Sequence, residues 1–311
     1  MNTQDIAAKK ELADHNPVYL MLLIVVVLWG ANVVMIKYLT NFFTPTCLAA
    51  FRLSTATAVL VPAVLWRHGW VKLPGKDWID IFGIALFSIT LHQLALSWGL
   101  TQTSGTHAVL ILSLNPLITT TLAAGFANEP FTRYKTAGVV LGFGGILLIV
   151  APKASMASNS LHGDILIFIA MFLYVLGSLL VKRSTQRIPP LVVTAYSHIV
   201  GSLGLISIAI VQTPVWAISA VFETNTIAVF LISSLLATAL GALWWNTSIQ
   251  QIGASAASLF LNVCPVVGIF TSAVFLHELL NWHHFAALFL VLSGVGLGTG
   301  LGTTFLQRLQ R

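Results

Sequence analysis

The chain of 311 residues carries little charge: only 8% of its residues are Asp, Glu, Lys or Arg, while 57% are hydrophobic. Soluble domains carry about 25% charged residues, so this composition excludes an ordinary soluble protein. The sequence also contains no long polar segment. Both features indicate a chain whose surface is mostly covered by lipid.

Motifs that bind nucleotides or metals are missing as well. The sequence has no GxxxxGK[ST] loop, so any transport is expected to use gradients rather than ATP. The histidine cluster at 277–284 lacks the HExxH spacing of a zinc protease, because Asn281 stands where the second histidine would be. Cys47 and Cys264 have no ligand spacing and are expected to be packing residues. We therefore predict no metal, no cofactor and no enzyme activity.

The sequence does contain ten apolar runs, each close to the ~20 residues that a membrane-spanning helix requires. The runs are continuously apolar, as from Leu20 to Leu28, whereas a transmembrane β-strand alternates apolar and polar residues. The predicted fold class is therefore an all-α membrane protein. Its ten predicted helices lie at 18–38, 44–66, 78–98, 105–125, 134–151, 162–181, 191–211, 227–249, 254–276 and 283–304.

The basic residues are distributed unevenly around these helices. If the N-terminus is inside, twelve of the 15 Lys and Arg residues lie on the cytoplasmic side. Only Lys37 and Lys153 lie outside, and Arg52 lies within helix 2. The positive-inside rule then predicts an inner (plasma) membrane protein with both termini in the cytoplasm. Its mixed-charge start differs from a secretory signal, so helix 1 is expected to remain in the protein.

Two offsets reveal an internal repeat. Helices 1–2 align with helices 6–7 at an offset of 145, and helices 3–5 align with helices 8–10 at an offset of 149; the second offset places Pro116 on Pro265. We predict repeats at 17–152 and 161–304, between tails at 1–16 and 305–311. Because each unit has five helices, an odd number, the second must be inverted in the membrane, as is usual in alternating-access transporters.

Several residues occur in an order that is typical of one transporter family. In the first half they are Trp29, Gly30, Asn32, Lys37, Phe51, Arg52, Thr106, Pro116, Glu129, Pro130, Gly138 and Gly145, and in the second Ala254, Pro265, Glu278 and Gly294. The chain thus resembles the ten-helix EamA-type branch of the drug/metabolite transporter superfamily. It departs from a perfect repeat where Tyr174 replaces Trp29 and Ser197 replaces Arg52.

The resemblance implies a secondary transporter that exports amino acids, related small metabolites or amphipathic drugs. Proton coupling, uniport and exchange all remain open. An intramembrane enzyme and a non-transporting membrane sensor are the alternatives to transport. The expected partners are a small-molecule substrate and membrane lipid, without nucleic acid. Glycine-rich helices 5 and 10 suit close packing, either within the chain or in a homodimer.

The candidate substrate site consists of polar and aromatic residues within the predicted helices. An unsatisfied polar group is costly in lipid, so the polar members are expected to face the interior of the bundle. Aromatic members would supply apolar walls or cation–π surfaces. Hydrogen bonding between helices is the competing explanation for the amides. The candidate residues are Trp29, Asn32, His92, Asn115, Tyr174, Trp245 and Asn262.

Coupling and hinge residues can also be predicted. Asp80, Asp164, Glu129 and Glu278 lie at predicted helix ends and are expected in interfacial water, so His92 is the best candidate for a titratable group at membrane depth. A charge such as Arg52 is costly in the membrane; it would snorkel outward or hold a substrate carboxylate or a backbone carbonyl. Helices 4 and 9 are expected to bend at Pro116 and Pro265.

The predicted topology can be tested by labelling single introduced cysteines. Cysteines at Ala157 and Thr224 should react with an impermeant thiol reagent from outside the cell, whereas a cysteine at Gly75 should not, because the basic loops face the cytoplasm. The reverse pattern would contradict the assignment.

Overall fold

The computed structural model describes residues 3–103, 111–112, 114–126, 132–154, 161–212, 223–276 and 282–298. The expected C-terminal tail, the Glu129-Pro130 pair and the 277–281 part of the histidine cluster lie outside the described residues. So does Ala157, one of the proposed labelling positions. The N-terminal segment predicted as a tail is helical from Thr3 onward and continues into the first helix.

The described residues of the first repeat form five helices. Helix α1 spans Thr3–Leu39, α2 spans Pro45–His68, and α5 spans Arg133–Ala154. Helix α3 has three parts, Gly75–Ile84, a π-helical segment Ala85–Leu91, and His92–Gln102. Helix α4 is described over Asn115–Phe126.

The second repeat follows the same plan. Helix α6 spans Leu161–Thr185, α7 spans Pro190–Val211, and α10 spans Trp282–Gly298. Helix α8 consists of Thr224–Leu231, a π-helical segment Ile232–Leu240, and Gly241–Ile252. Helix α9 consists of Ala254–Leu259, a 3₁₀ turn Phe260–Asn262, and Val263–Leu276. The all-α fold class predicted from the sequence is confirmed.

Length and hydropathy support a membrane protein. Within the described part of the chain, six stretches are long and apolar enough to cross a bilayer: Pro17–Ile36, Pro45–His68, Gly75–Gly99, Leu161–Thr185, Pro190–Val211 and Thr224–Ile252. Ala254–Gly268 and Phe285–Gly298 are shorter apolar helices. We call the end of the bundle that holds Arg67, Lys72, Lys76 and Arg187 the basic end. The opposite end, with residues 40–44 and Glu223, is called the neutral end because few Lys and Arg residues lie there.

Irregular helix geometry occurs at matching positions of the two repeats. At the offset of 149, the π-helical segment of α3 falls on residues 234–240, within the π-helical segment of α8. The turn before Pro116 in α4 likewise corresponds to the region of the 3₁₀ turn before Pro265 in α9. A proline lacks an N–H group and its ring clashes with the preceding turn, which accounts for both interruptions. Pro116 and Pro265 therefore lie beside irregular turns in their helices, and their role as hinges stays a prediction.

The glycines of α5 and α10 bring these two helices into close contact within one chain. A Cβ atom on Gly138 would lie 2.6 Å from the Gly294 carbonyl oxygen, and one on Gly145 would lie 2.9 Å from the Ala287 carbonyl oxygen. Only glycine allows two backbones to approach so closely. The close packing predicted for these helices is thus used inside the chain.

The helices of the two repeats interlock rather than forming separate bodies. Helix α2 packs on α7, α1 packs on α8 and α9, and α3 packs on α6. The largest buried apolar cluster accordingly draws on α1–α3 and on α6–α10. Groups at the centre of the bundle are therefore surrounded by helices from both repeats.

Candidate functional site

Four of the predicted residues form a continuous aromatic row between the repeats. The ring of Trp29 in α1 lies 5.1 Å from that of Trp245 in α8. Trp245 lies 6.4 Å from Tyr174 in α6, whose ring is 5.1 Å from His92 in α3. Two of these helices belong to each repeat, so the row crosses the boundary where an inverted-repeat transporter places its substrate.

Hydrogen bonds to backbone carbonyls fix both ends of the row. The indole N–H of Trp29 donates to the Ala237 carbonyl in the π-helical segment of α8, at 2.8 Å. Nδ1 of His92 lies 2.9 Å from the Ala170 carbonyl in α6. Because a carbonyl only accepts, Nδ1 carries the proton and Nε2 of the neutral ring is left as an acceptor.

Trp29 fits against α8 because the neighbouring residue, Gly241, has no side chain. A Cβ atom on Gly241 would lie 2.8 Å from the Trp29 indole nitrogen, so a larger residue there would displace the ring. The counterpart of Gly241 in the first repeat is His92, and the counterpart of Trp29 is Tyr174. Trp29 of the first repeat thus packs on Gly241 of the second, whereas Tyr174 of the second repeat packs against His92 of the first.

Polar atoms in the middle of the row have unused hydrogen-bonding capacity. The Trp245 indole lies beside the Tyr174 hydroxyl, yet neither atom has a partner of normal hydrogen-bond geometry among the described residues. Trp245 is only 4% exposed, so water does not reach it readily. A buried unsatisfied polar group costs about 1–3 kcal/mol. A ligand that bonded to these atoms would relieve that cost.

A polar cluster adjoins the Trp29 end of the row. Ser233 donates to the Asn32 amide oxygen at 2.6 Å, and Arg52 donates to the Thr238 hydroxyl at 2.8 Å. Ser233 and Thr238 both belong to the π-helical segment that also holds Trp29. This one irregular segment therefore anchors three residues that the sequence singled out, from helices α1 and α2.

Arg52 is buried and incompletely paired. It is 8% exposed, Thr238 is its hydrogen-bond partner, and its Nε atom has none among the described residues. The ion pairs of the described part of the chain do not include it. A guanidinium has five N–H donors in a fork that matches a carboxylate. Among the described residues, the structure thus presents a buried guanidinium whose Nε donor has no acceptor, rather than an exposed, snorkelling side chain.

The two remaining amides lie near the helix breaks instead. Asn115 begins the described part of α4, is buried, and accepts a hydrogen bond from Thr119 at 3.0 Å. Asn262 ends the 3₁₀ turn of α9, and its side chain packs against Gly142 of α5. The backbone of Cys264, two residues later, packs against Gly30 of α1. Asn262 therefore faces α5, and its buried amide oxygen has no hydrogen-bond partner among the described residues.

The acidic residues depart from one sequence expectation. Asp80 was expected in interfacial water, but it is only 2% exposed and accepts a hydrogen bond from Arg187 at 2.9 Å. Asp77, which the sequence did not single out, is 5% exposed and bonds the same guanidinium. Hydrogen bonding to Asp77 raises the pKa of Arg187. The spacing of Asp77 and Asp80, three apart on one helix face, was the available signal.

Asp164, another of the four acids expected at the interface, accepts a hydrogen bond from Thr103 at the neutral end. Glu129 and Glu278 lie outside the described residues. This bond joins the end of α3 to the start of α6, where Gly163 packs directly on the backbone of Gln102 and Thr103. Asp164 therefore helps to hold two helices of different repeats together.

Sequence comparison identifies the family. The profile of the EamA-like transporter family matches residues 16–151 and 161–299. The chain belongs to this family. A Bacillus subtilis relative named "Uncharacterized transporter YyaM" is 29% identical over 81% of this chain and 84% of its own length. A relative from Archaeoglobus fulgidus, also named as a transporter, is 25% identical over 89% of this chain and 96% of its own length.

Structural comparison agrees with the family. A solved structure described as "Crystal structure of protein" has a TM-score of 0.78 and 18% sequence identity, and the match covers 93% of this chain and 98% of the other. At this identity the match supports the fold alone. Together these findings confirm a multi-pass membrane transporter of the EamA type, as predicted, with a small-molecule substrate and a lipid environment. The chain is a transporter rather than an enzyme.

Proposed function

We propose that this EamA-family transporter exports amino acids, related small metabolites or amphipathic drugs by alternating access, with its substrate at the aromatic row between the repeats. The observation that carries the proposal is the row itself, which crosses the repeat boundary and contains buried polar atoms that have no hydrogen-bond partner among the described residues. Apolar walls with a few placed polar groups are the usual composition of a small-molecule site.

The charge of Arg52 and the neighbouring aromatic rings together favour substrates that have both a carboxylate and an apolar body. Aromatic faces attract an ammonium group through cation–π interaction. Arg52 and Trp29 contact neighbouring residues of α8, Thr238 and Ala237, so a carboxylate could reach the guanidinium while the apolar part lies on the indole. A zwitterion such as an amino acid meets both requirements.

The orientation of the transporter follows from its basic residues. We place the basic end in the cytoplasm and the neutral end outside, in the inner (plasma) membrane. Exporting then means that substrate enters at the basic end and leaves at the neutral end. The glycine faces of α5 and α10 are occupied within the chain, so the proposed transporting unit is the single chain and not a dimer formed through these faces.

Proton coupling is assigned to His92. Its ring contacts Tyr174 in the row, and because Nδ1 bonds the Ala170 carbonyl, Nε2 is the atom that would accept a proton. The pair Asp77 and Asp80 lies at the basic end and is neutralised by arginine, so it is less suited to this task. Protonation of His92 would alter the charge next to the substrate and favour its release.

Flux in sealed proteoliposomes tests the proposal as a whole. Candidate cargoes come from comparing metabolites inside and outside cells with and without the protein. Trp245→Ala should lower the apparent affinity for a transported cargo by about tenfold or more, because a large aromatic wall is lost. Trp245→Phe should have a smaller effect. Trp66→Ala, at a ring that is 91% exposed, is the matched control and should leave flux unchanged.

Two results would contradict the proposed function. Chemical conversion of the cargo would indicate an intramembrane enzyme, and binding without flux would indicate a sensor. Normal affinity and rate in folded Trp245→Ala protein would place the substrate elsewhere.

The role of Arg52 is tested with Arg52→Gln, which retains hydrogen-bond donors but removes the charge. Flux of a carboxylate cargo should fall by about tenfold or more, since a hydrogen bond between charged groups is worth about 1.5–3 kcal/mol. Flux of the corresponding amide should change little. Ser197→Ala, at the repeat counterpart of Arg52, is the control. An equal loss for both cargoes would make Arg52 a structural residue only.

The role of His92 is tested with His92→Gln by measuring flux against pH. The wild type should show a pH-dependent rate, and the variant should show a flatter profile with nearly unchanged substrate affinity, because glutamine accepts no proton. A wild-type rate that does not depend on pH, or a variant with the wild-type profile, would exclude coupling through His92 and favour uniport.

A further inference from the structure

An ion-pair cluster closes the basic end of the boundary between the repeats. The Arg187 guanidinium, in the turn between α6 and α7, bonds Asp77 at 2.8 Å and Asp80 at 2.9 Å in α3. Arg183, near the end of α6, lies 3.3 Å from Asp80. The acids belong to the first repeat and the arginines to the second. We call these four residues the ionic latch.

At the neutral end, the described residues include a contact between α1 and α8 that involves uncharged side chains. The Tyr38 hydroxyl in α1 lies 3.2 Å from the Thr226 hydroxyl in α8, and its ring lies 5.3 Å from that of Phe42. Tyr38, Phe42 and Val229 pack on the apolar cluster of Leu39, Phe43 and Leu48. We call Tyr38, Phe42, Thr226 and Val229 the uncharged latch.

The two latches occupy matching positions of the inverted repeat. At an offset of 145, Tyr38 corresponds to Arg183 and Phe42 to Arg187. At an offset of 149, Asp77 corresponds to Thr226 and Asp80 to Val229. The same positions therefore recur at opposite ends of the bundle, with four charged residues in the ionic latch and four uncharged residues in its counterpart.

This difference makes the two ends unequal in free energy. Opening the basic end removes the three short contacts that join both carboxylates, which are almost fully buried in the closed end, to their arginines. The Coulomb attraction of these pairs is then replaced by the weaker one between separated charges in water. Opening the neutral end separates one pair of hydroxyl groups and some apolar contacts in the uncharged latch. A further described bond between the repeats at that end joins the partly exposed Asp164 to the neutral hydroxyl of Thr103, so it is not an ion pair. Both arginines are partly exposed, with 41% and 61% of their side-chain surface accessible, so water and salt weaken the ionic latch without abolishing it.

We propose that the ionic latch biases the transporter without substrate towards the conformation that is closed at the basic end and opens more readily at the neutral end. The inference rests on the alternating access proposed above. It deepens that function by assigning the resting state and the four residues that set it. A cargo entering at the basic end must then supply the interactions that compensate for the broken latch.

Labelling of the native Cys264 measures the bias without any cargo. Its backbone packs against Gly30 of α1 and its thiol lies beside Tyr174, so it is located between the repeats. In full-length protein with Cys47→Ala, Cys264 is the single thiol. An impermeant charged methanethiosulfonate is applied from either end of membrane vesicles, whose orientation is set by the topology measurement. When the ionic latch is intact, Cys264 should be labelled faster from the neutral end than from the basic end.

Neutralising the latch should reverse this preference. Asp77→Asn with Asp80→Asn should raise the ratio of basic-end to neutral-end labelling by about tenfold or more, because the closed state loses its ion pairs. Arg187→Gln, in an exposed turn, should shift the ratio in the same direction and decides the question if the double variant does not reach the membrane. Arg67→Gln is the control, since it removes an exposed charge at the same end outside the latch.

Salt provides a second measurement that a purely structural role would not affect. At about 1 M salt, where the Debye length is about 3 Å, basic-end labelling of the wild type should increase and that of Arg187→Gln should change less. An unchanged ratio in folded Asp77→Asn, Asp80→Asn protein, or in Arg187→Gln, would overturn the inference. Because labelling needs no cargo, this failure is distinct from an absence of flux, which would count against the proposed function alone.

Discussion

The carbonyl of Ala237 accepts the indole N–H of Trp29, and the arrangement of the proposed substrate site depends on this bond. In a bilayer a polar group must find its partner within the protein, and a regular α-helix uses its own carbonyls internally. A π-helical segment changes that pairing, and such segments are frequent at functional sites. The segment Ile232–Leu240 thereby holds Trp29, Asn32 and Arg52 at the boundary between the repeats.

The two repeats share the same helix geometry but carry different side chains at matching positions. The π-helical segment of α3 contacts Tyr174 through Ser88, as that of α8 contacts Trp29 through Ala237. Other repeat counterparts near the site differ in size and charge: His92 corresponds to Gly241, and Arg52 corresponds to Ser197. A transporter needs symmetric frames to alternate between two conformations, but it needs asymmetric chemistry to bind one class of substrate and to prefer one resting state.

Much of the fold follows from local sequence, because a lipid environment requires long apolar helices and internal backbone hydrogen bonding. The repeat offsets likewise predicted the breaks before Pro116 and Pro265 and the pairing of Trp29 with Tyr174 as counterparts. The candidate site was predicted in part. Trp29, His92, Tyr174 and Trp245 come together, while Asn262 packs on Gly142, because its direction depends on the 3₁₀ turn of α9. Residue type marked Asn262 as inward-facing but did not identify its neighbour.

The sequence by itself determined the ten-helix plan, the inverted repeat and the choice of aromatic and polar candidates, since these depend on composition, length and spacing along the chain. Only the tertiary structure decided that Asp77 and Asp80 are buried against Arg187, more than a hundred residues later, and that Arg52 lies on Thr238. Hydropathy places a carboxylate near a helix end at the water interface. Its actual burial depends on a cation that another repeat brings to it, and that is a property of packing rather than of the local sequence.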